Sequence, residues 1–406
     1  MLEKFGDVKK IVLAYSGGLD TSVMLTWLKE TFGCEVICYT ADVGQQEELD
    51  GLEEKAKRTG ASAAVIEDLT EEFVRDFVFP AVQANAVYEG TYLMGTSLAR
   101  PLIGKRLAEV ALEYGADAIA HGATGKGNDQ IRFELASYGV NPHIRVMAPW
   151  RFWDMKGRTD LIAYAKKHGI PVLSTAEKPF SIDRNIMHVS FEGGILENPW
   201  NEPPLDTYLL TTPVLQAPDE PEEITITFEK GLPVAVNDEE LGPQKLLEKL
   251  NKYGGRHGIG RVDLVENRYV GIKSRGVYET PGVTLLHVAH RAIESLAMDR
   301  EVMLFRDSMI PRYAALIYRG YWFSPECTLM RKIITDTQES VNGVAKLRLY
   351  KGNATLIGRK SPNSLYSYSF ATFEKDTVYD QQDAEGFIRI NALRLRLRAL
   401  KQQGLD

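Results

Sequence analysis

The sequence predicts an α/β protein: a parallel-sheet domain, then an α+β half, then a terminal helix. Three observations predict it. Apolar strand-like runs alternate with helical stretches through the first half, with glycines at the joints. Prolines then crowd into one stretch, and the runs beyond it alternate apolar and polar residues as antiparallel strands do. With 406 residues the chain can hold about two to three domains. Hydrophobic residues at 44% and charged residues at 25% exclude the disordered and collagen-like classes.

The first element is the apolar run Ile11 to Tyr15. It ends in Ser16-Gly17-Gly18 and is followed by Val23, Met24, Trp27 and Leu28 at helical spacing, with Gly33 just past the end. The cycle repeats: Glu35 to Thr40 is rich in strand formers, Glu47 to Arg58 is charged and helical before Gly60, and Ala63 to Ile66 is another short strand. Two right-handed βαβ units are implied. Leu98, Leu102, Leu107, Val110, Ala111 and Tyr114 share a helical face, with Pro101 placed in the first turn and Gly115 ending the helix before a strand at Ala116 to Ala120. Strands this apolar belong in the middle of a sheet covered on both faces.

From about Glu197 the texture changes. Six of the 18 prolines (Pro199, Pro203, Pro204, Pro213, Pro218 and Pro221) mark a linker or wrapped surface segment. Beyond it, Ile224 to Phe228, Arg261 to Val265 and Tyr269 to Lys273 read as strands and Val283 to Met298 as a helix. Ile390, Leu393, Leu397 and Leu400 fall at three- and four-residue steps near the C-terminus; Leu393 to Leu397 also alternates with Arg as a strand would, but a helix is favoured, its stripe a candidate subunit contact.

The charge balance narrows the partners. Lys and Arg number 48 against 55 Asp and Glu, a net charge of −7 that opposes a nucleic-acid polyanion as main partner and favours small metabolites. Three cysteines, Cys34, Cys38 and Cys327, cannot make a closed disulfide set, which fits a reducing compartment. Met1 to Lys10 mixes Lys4, Lys9 and Lys10 with acids, and no long apolar stretch follows. The expectation is a cytoplasmic protein with neither signal peptide nor membrane span.

The strongest chemical signal is Ala14-Tyr15-Ser16-Gly17-Gly18-Leu19-Asp20-Thr21-Ser22, where a strand passes into a helix. The glycines let the backbone approach an anion, Ser16, Thr21 and Ser22 supply hydroxyls, and the helix N-terminus adds N–H groups and a positive dipole. It reads as a phosphate cradle, against the bland alternative of a glycine turn with a Ser/Thr cap. It is neither GxxxxGK[ST] nor GxGxxG. A second constellation, His121-Gly122-Ala123-Thr124-Gly125-Lys126-Gly127-Asn128-Asp129-Gln130-Ile131-Arg132-Phe133-Glu134, follows the strand ending at Ala120. Both turns leave carboxyl ends of parallel strands, where open α/β sheets bind ligands, so they should face one crevice. Asn128, Asp129 and Arg132 can together recognise carboxylate and ammonium groups, which suits an amino acid.

With these two loops, the segments Thr40 to Gln45, Tyr92 to Pro101, Glu192 to Glu197, Val265 to Arg268 and Tyr278 to Gly282 make a sequence that resembles the argininosuccinate synthase family from about residue 9 to the C-terminal helix. Ser-Gly-Gly-x-Asp alone indicates only the wider N-type ATP pyrophosphatase group; the later motifs in order are specific. The resemblance implies an ATP pyrophosphatase domain of the adenine nucleotide alpha hydrolase-like type over residues 1–170, a synthetase domain over 171–365 and an oligomerisation arm over 366–406 of a homotetramer. It implies that ATP, citrulline and aspartate give argininosuccinate, AMP and pyrophosphate with Mg2+, in arginine biosynthesis. Carried over by position, Ala14, Tyr15, Ser16, Gly17, Gly18, Leu19, Asp20, Thr21 and Ser22 with Ala41 and Gly122 bind ATP. Tyr92, Ser97, Asn128, Arg132, Ser181, Ser190, Glu266 and Tyr278 bind citrulline, and Thr124, Asn128 and Asp129 bind aspartate. Ser16, Asp20 and Asp129 are the residues expected to carry the chemistry, mainly by positioning; no general base is named.

Two other readings compete. A tRNA-modifying or amidotransferase-coupled pyrophosphatase-loop enzyme is opposed by the acidic balance, the lack of a CxxC and the lack of a cysteine among the first residues. A nucleotide-sensing module would bind ATP without turnover. His287, His290 and Glu294 imitate a metal site at steps of three and four, with interior histidines as the plain alternative. Cys34 and Cys38 read as inert buried thiols, Trp150, Trp153 and Trp200 as core or interface aromatics, and Glu47 to Lys57 and Arg389 to Lys401 as solvated helix faces.

Overall fold

The computed structural model describes residues 5–171, 180–372, 378 and 380–405, and the chain divides into two compact units, residues 1–363 and 364–406. The first unit opens with β1 (Lys10–Ala14), α1 (Leu19–Phe32), β2 (Glu35–Asp42), α2 (Leu52–Thr59) and β3 (Ala63–Asp68). A helical run over 70–83 leads to α3 (Gly95–Glu113), β4 (Ala118–Ala120), α4 (Asp129–Val140), β5 (Arg145–Met147) and α5 (Arg158–Lys167). The five strands form one parallel sheet in the order β3-β2-β1-β4-β5, so the most apolar strand is central and the chain reverses direction across the sheet between β1 and β4. Alternate β1 residues feed two cores. Ile11 and Leu13 pack with Val23, Met24 and Leu28 of α1, and Val12 packs with Leu98, Leu102 and Leu107 of α3. Each such buried side chain contributes about 1.5–3 kcal/mol, which holds a helix against both faces of the sheet.

The rest of the unit is antiparallel. Strands β6 (Ser181–Arg184) and β7 (Val189–Glu192) come first, then β8 (Glu222–Glu229), β9 (Leu232–Val236), β10 (Glu239–Glu240), α6 (Pro243–Arg256), β11 (Arg261–Asn267) and β12 (Lys273–Glu279). Next come α7 (Pro281–Ala297), α8 (Arg300–Tyr318), α9 (Pro325–Asp336), β13 (Gly343–Tyr350) and β14 (Asn353–Lys360). They form a four-stranded sheet, β11-β12-β7-β6, and a five-stranded one, β10-β9-β8-β13-β14. The four-stranded sheet is tied to the parallel one at the β6–β7 turn: Ile186 N–H donates to the Val43 carbonyl (2.8 Å) and Asn185 Nδ2 to the Gly95 carbonyl (3.2 Å). The second unit carries α10 (Asp383–Gln402), which buries none of its residues.

Several local expectations shift. Pro101 lies inside α3 rather than in its first turn, because the helix starts at Gly95. Residues 46–58 are not one helix: Gln46–Leu49 is a 3-10 turn, and Gly51 at φ +66° breaks the chain before α2. The strand expected at Tyr269 to Lys273 is the turn of the β11–β12 hairpin, closed by Arg268 N–H on the Ile272 carbonyl at 2.8 Å. Trp200 is 94% exposed, so it is no core aromatic, whereas Trp153 is buried and meets the Trp150 ring edge-on at 4.9 Å. Cys34 and Cys38 are buried, and burial pushes their thiols up to about 11 and about 12, which keeps them inert.

Candidate active site

The first glycine loop is shaped from behind. Tyr15 N–H continues the sheet by donating to the Tyr39 carbonyl (2.8 Å), and the Thr40 hydroxyl donates to the Tyr15 carbonyl (2.5 Å), so the residue beside Ala41 fixes where the loop leaves β1. Gly17 has φ +72°, and a Cβ there would lie 2.3 Å from Leu52 Cδ1; only glycine lets the backbone pass. Gly18 begins α1 with no side chain capping it. The one serine contact to this turn is Ser16 Oγ accepting weakly from the Gly18 N–H at 3.4 Å, which leaves the first-turn N–H groups of α1 without a side-chain cap. Ser16 Oγ lies 3.2 Å from Thr21 Oγ1, and Tyr15 Oη 3.1 Å from Ser22 Oγ, so the hydroxyls stand in two linked pairs. Asp20 sits in the first turn, where burial raises its pKa against the pull of Arg158.

The second loop meets the first. A Cβ on Gly122 would lie 3.2 Å from Thr21 Cγ2 and 3.6 Å from Met24 Sδ, so the turn after β4 rests on the first turns of α1. Beyond it, Gln130 Nε2 donates to the carbonyls of Gly125 (2.7 Å) and Gly127 (3.0 Å), holding the loop against α4. β1 and β4 are parallel neighbours, so the two loops leave the sheet side by side at its carboxyl edge.

A charged pocket adjoins it. Asp129, at the start of α4, accepts from Arg100 Nε (2.8 Å) and Arg132 Nη1 (2.8 Å), and Arg100 Nη2 also donates to Asp183 of β6. Burial alone would raise the Asp129 pKa, but the two guanidiniums hold it well below the usual carboxylate range. Arg132 is anchored by Nε and Nη2 on the Tyr318 carbonyl (2.9 and 2.7 Å), so only its remaining N–H groups can reach a ligand. Asn128 Oδ1 accepts from Tyr269 N–H (3.0 Å), joining this loop to the β11–β12 hairpin.

The four-stranded sheet supplies the other wall. The ring of Tyr92 is buried 4.4 Å from that of Tyr278, whose hydroxyl donates to Glu266 Oε1 at 2.5 Å. Ser190 stands opposite Tyr278 in the β7–β12 ladder. Ser97 of α3 is fully buried and its hydroxyl has no partner, an unmet donor that suits a polar ligand. Glu192, paired with Arg268, is pushed up to about 7, chiefly by burial and then by Glu266, Asp129 and Asp183 across the pocket, with Arg268 opposing. Of the expected residues, Tyr92, Asn128, Asp129, Arg132, Glu266 and Tyr278 are linked through these contacts. Thr124 and Ser181 stand at exposed positions outside that web.

Sequence reasoning assigned no role to Arg100, Asp183, Glu192 or Arg268. Two of them had a usable signal. Arg100 follows Ser97 by three on one helix, and Glu192 follows Ser190 by two on one strand, so each shares a face with a residue that was singled out. Of the His287, His290 and Glu294 trio, His290 and Glu294 are interior, and His287 is partly buried at the edge of a cavity it lines with Tyr88 and Arg291. His290 Nε2 lies 2.9 Å from Gln338 Oε1 and Nδ1 3.3 Å from Asn85 Oδ1, while Glu294 pairs with Arg306. Among the described residues no cluster of three or more His, Cys, Asp or Glu could hold a metal, and no helix is long and apolar enough to cross a membrane.

Comparison with known proteins agrees along the chain. The family described as "Arginosuccinate synthase N-terminal HUP domain" matches residues 10–171, and "Arginosuccinate synthase C-terminal domain" matches 180–398. The argininosuccinate synthase of Syntrophotalea carbinolica is 61% identical over 399 residues, covering 98% of this chain and 98% of its own. That of Desulfatibacillum aliphaticivorans is 60% identical over 394 residues, covering 97% and 98%. That of Rhodospirillum rubrum is 60% identical over 396 residues, covering 97% and 98%.

Proposed function

Because the chain belongs to the argininosuccinate synthase family, ATP-using ligases that join citrulline to aspartate through a citrullyl-AMP intermediate in arginine biosynthesis, we propose a division of that chemistry among its residues. Ala14 to Ser22, with Ala41 and Gly122, hold ATP. Tyr92, Ser97, Asn128, Arg132, Ser181, Ser190, Glu266 and Tyr278 hold citrulline, and Thr124, Asn128 and Asp129 hold aspartate. The observation that carries this reading is the meeting of the two glycine loops at Thr21 and Gly122, beside a pocket holding both fixed guanidiniums and carboxylates. A zwitterionic amino acid needs both signs, and a triphosphate needs the uncapped helix start.

The ureido oxygen of citrulline is a weak nucleophile, so the enzyme gains most by holding it in line with the α-phosphorus. Loop N–H groups and the hydroxyls of Ser16, Thr21 and Ser22 stabilise the departing pyrophosphate. The aspartate nitrogen then attacks the ureido carbon, forming the C–N bond as the bond from that carbon to the adenylylated oxygen breaks and AMP leaves with the oxygen. Asp20 is a carboxylate in the first turn of α1 and fits a Mg2+ bound mainly through phosphate oxygens and water, as this ion usually is. When bound there, Mg2+ would neutralise charge on the β- and γ-phosphates.

Citrulline labelled with heavy oxygen at the ureido position should deliver its label to AMP, and Ser16→Ala or Asp20→Ala should slow that transfer. Label recovered in water or inorganic phosphate, or ADP as product, would overturn the assignment. The same assay asks whether AMP release needs both amino acids; a nucleotide sensor would release no AMP.

The reading extends to assembly and location: a cytoplasmic homotetramer, with residues 1–170 as nucleotide domain, 171–365 as synthetase domain and 366–406 as oligomerisation arm. On α10, Phe387, Ile388, Ile390, Leu393, Leu397 and Leu400 are all at least 38% exposed, an apolar surface that supports a subunit contact. Removing residues from about 380 onward should lower the mass seen by light scattering. A truncated protein of unchanged assembly order would return the arm to its own chain.

A further inference from the structure

Helix α2 belongs to a charged segment that sequence alone reads as a solvated face, and for Glu53, Glu54, Lys57 and Arg58 that holds, since all four are exposed. Lys55 is different. It is half-buried, and its ammonium donates to the carbonyl of Gly17 in the first glycine loop. One turn earlier, Leu52 of the same helix occupies the space a Gly17 Cβ would need. The helix therefore grips this residue at two points, three positions apart, on the side away from its solvated face.

We infer that Lys55 is a positioning residue for the phosphate loop: its ammonium clamps the Gly17 carbonyl and so aims the Gly18 N–H into the crevice. The inference rests on the reading of Ala14 to Ser22 as the ATP site. The physical link is the peptide plane. The Gly17–Gly18 peptide is trans, so the Gly17 carbonyl and the Gly18 N–H are antiparallel, and fixing one end of the plane fixes the other. This matters at a glycine pair, because neither residue has a Cβ to restrict rotation of the plane between them. In the structure the Gly18 N–H reaches Ser16 Oγ at 3.4 Å, a weak contact on the exposed side of the loop that a phosphate oxygen can replace. The carbonyl it opposes would otherwise be able to turn toward the same crevice and present a partial negative charge to the triphosphate. An ammonium behind the plane prevents that flip and deepens the positive field at the N–H. Burial, with Arg58 beside it, lowers the Lys55 pKa, the cost of holding a cation against the loop. The loop has no Walker lysine in its own sequence, and Lys55 acts from outside through the backbone.

The test uses steady-state kinetics of the full-length enzyme. Lys55→Met keeps the aliphatic stem and removes the donor, while Lys55→Arg keeps a cationic donor. The expected result is a KM for ATP raised about tenfold in Lys55→Met, the loss of roughly one charge-assisted hydrogen bond, with the KM values for citrulline and aspartate within about twofold of wild type. Lys55→Arg should recover most of the ATP affinity. Melting of each variant without nucleotide is measured alongside. An unchanged KM for ATP in Lys55→Met overturns the clamp. So does a rise in all three KM values with a lowered melting temperature and no rescue by arginine, since that marks support of the fold alone. Ser16→Ala in the same assay separates the two levels. If it raises the KM for ATP while Lys55→Met does not, only the clamp falls; if neither changes it, the loop is not the ATP site.

Discussion

Replacing Asp129 with asparagine is expected to lower kcat/KM for aspartate by about 2 kcal/mol or more, roughly thirtyfold, while the KM for ATP stays near its wild-type value. The carboxylate is the common acceptor of Arg100 Nε and Arg132 Nη1, and it is the only group of the expected aspartate site with a net negative charge. Asparagine keeps the shape but turns an acceptor into an amide whose Nδ2 would face a guanidinium. It also removes the charge able to hold an α-ammonium. Arg132 keeps its hold on the Tyr318 carbonyl, so the citrulline side should suffer less than the aspartate side. Arg100, also paired with Asp183, would be drawn toward β6. Steady-state kinetics with each substrate varied in turn should rank the losses as aspartate, then citrulline, then ATP. An unchanged aspartate dependence would remove Asp129 from the site.

The largest stability effect is expected at Glu294. Its carboxylate is fully buried and accepts from Arg306 Nη1 (2.5 Å), Gln338 Nε2 (3.0 Å) and Asn85 Nδ2 (2.7 Å), and Arg306 is buried as deeply. Glu294→Ala takes the buried carboxylate from a guanidinium whose Nη2 already lacks a partner and which keeps Asp307 on Nε and the Gln83 carbonyl on Nη1, and such broken pairs cost about 3–5 kcal/mol. Chemical denaturation at neutral pH should show it. The pH dependence follows from the sign of the shift. Burial raises the carboxyl pKa, but His290, Arg306 and Gln338 outweigh it and hold the folded value at about 2 against an ordinary 4.5. The contribution is therefore fully present above 4.5 and is lost as pH falls toward 2. The stability gap between wild type and Glu294→Ala should shrink over that acid range. A loss below about 1 kcal/mol at neutral pH would mean that the network relaxes around the deletion.

Much of the nucleotide half was legible in the sequence because its signals are local. An apolar run, two glycines and a helical repeat specify strand, turn and helix within some twenty residues: β1 and β2 lie within two residues of the expected ends, and α1 stops just before the expected Gly33. That both glycine-rich loops leave carboxyl ends was legible too, because each follows a short apolar strand; that β1 and β4 are neighbours came from the sheet order. Likewise the stripe on α10 follows from spacing alone. Errors arose where a local pattern had two solutions. Tyr269 to Lys273 alternates like a strand, yet the backbone closes a turn at Gly271, whose φ of +94° no periodicity reports. The charged run of α2 hid Lys55, because a helix face counts as solvated until something is known to lie against it.

What the sequence by itself determined is therefore the parallel sheet, the two glycine-rich loops at its carboxyl edge and the residue types that suit an amino acid and a triphosphate. Only the tertiary structure decided which charges meet. Arg100 and Asp183 lie 83 positions apart, and Asn85 and Glu294 lie 209 apart. Ser190 faces Tyr278 only because β7 and β12 pair in that register. Periodicity states which face of an element is buried; the partner that covers it depends on antiparallel register and on loops whose closure costs little more when they are long. A charged side chain carries no local mark of its partner, because its energy is set by the dielectric and the opposite charges that folding places around it.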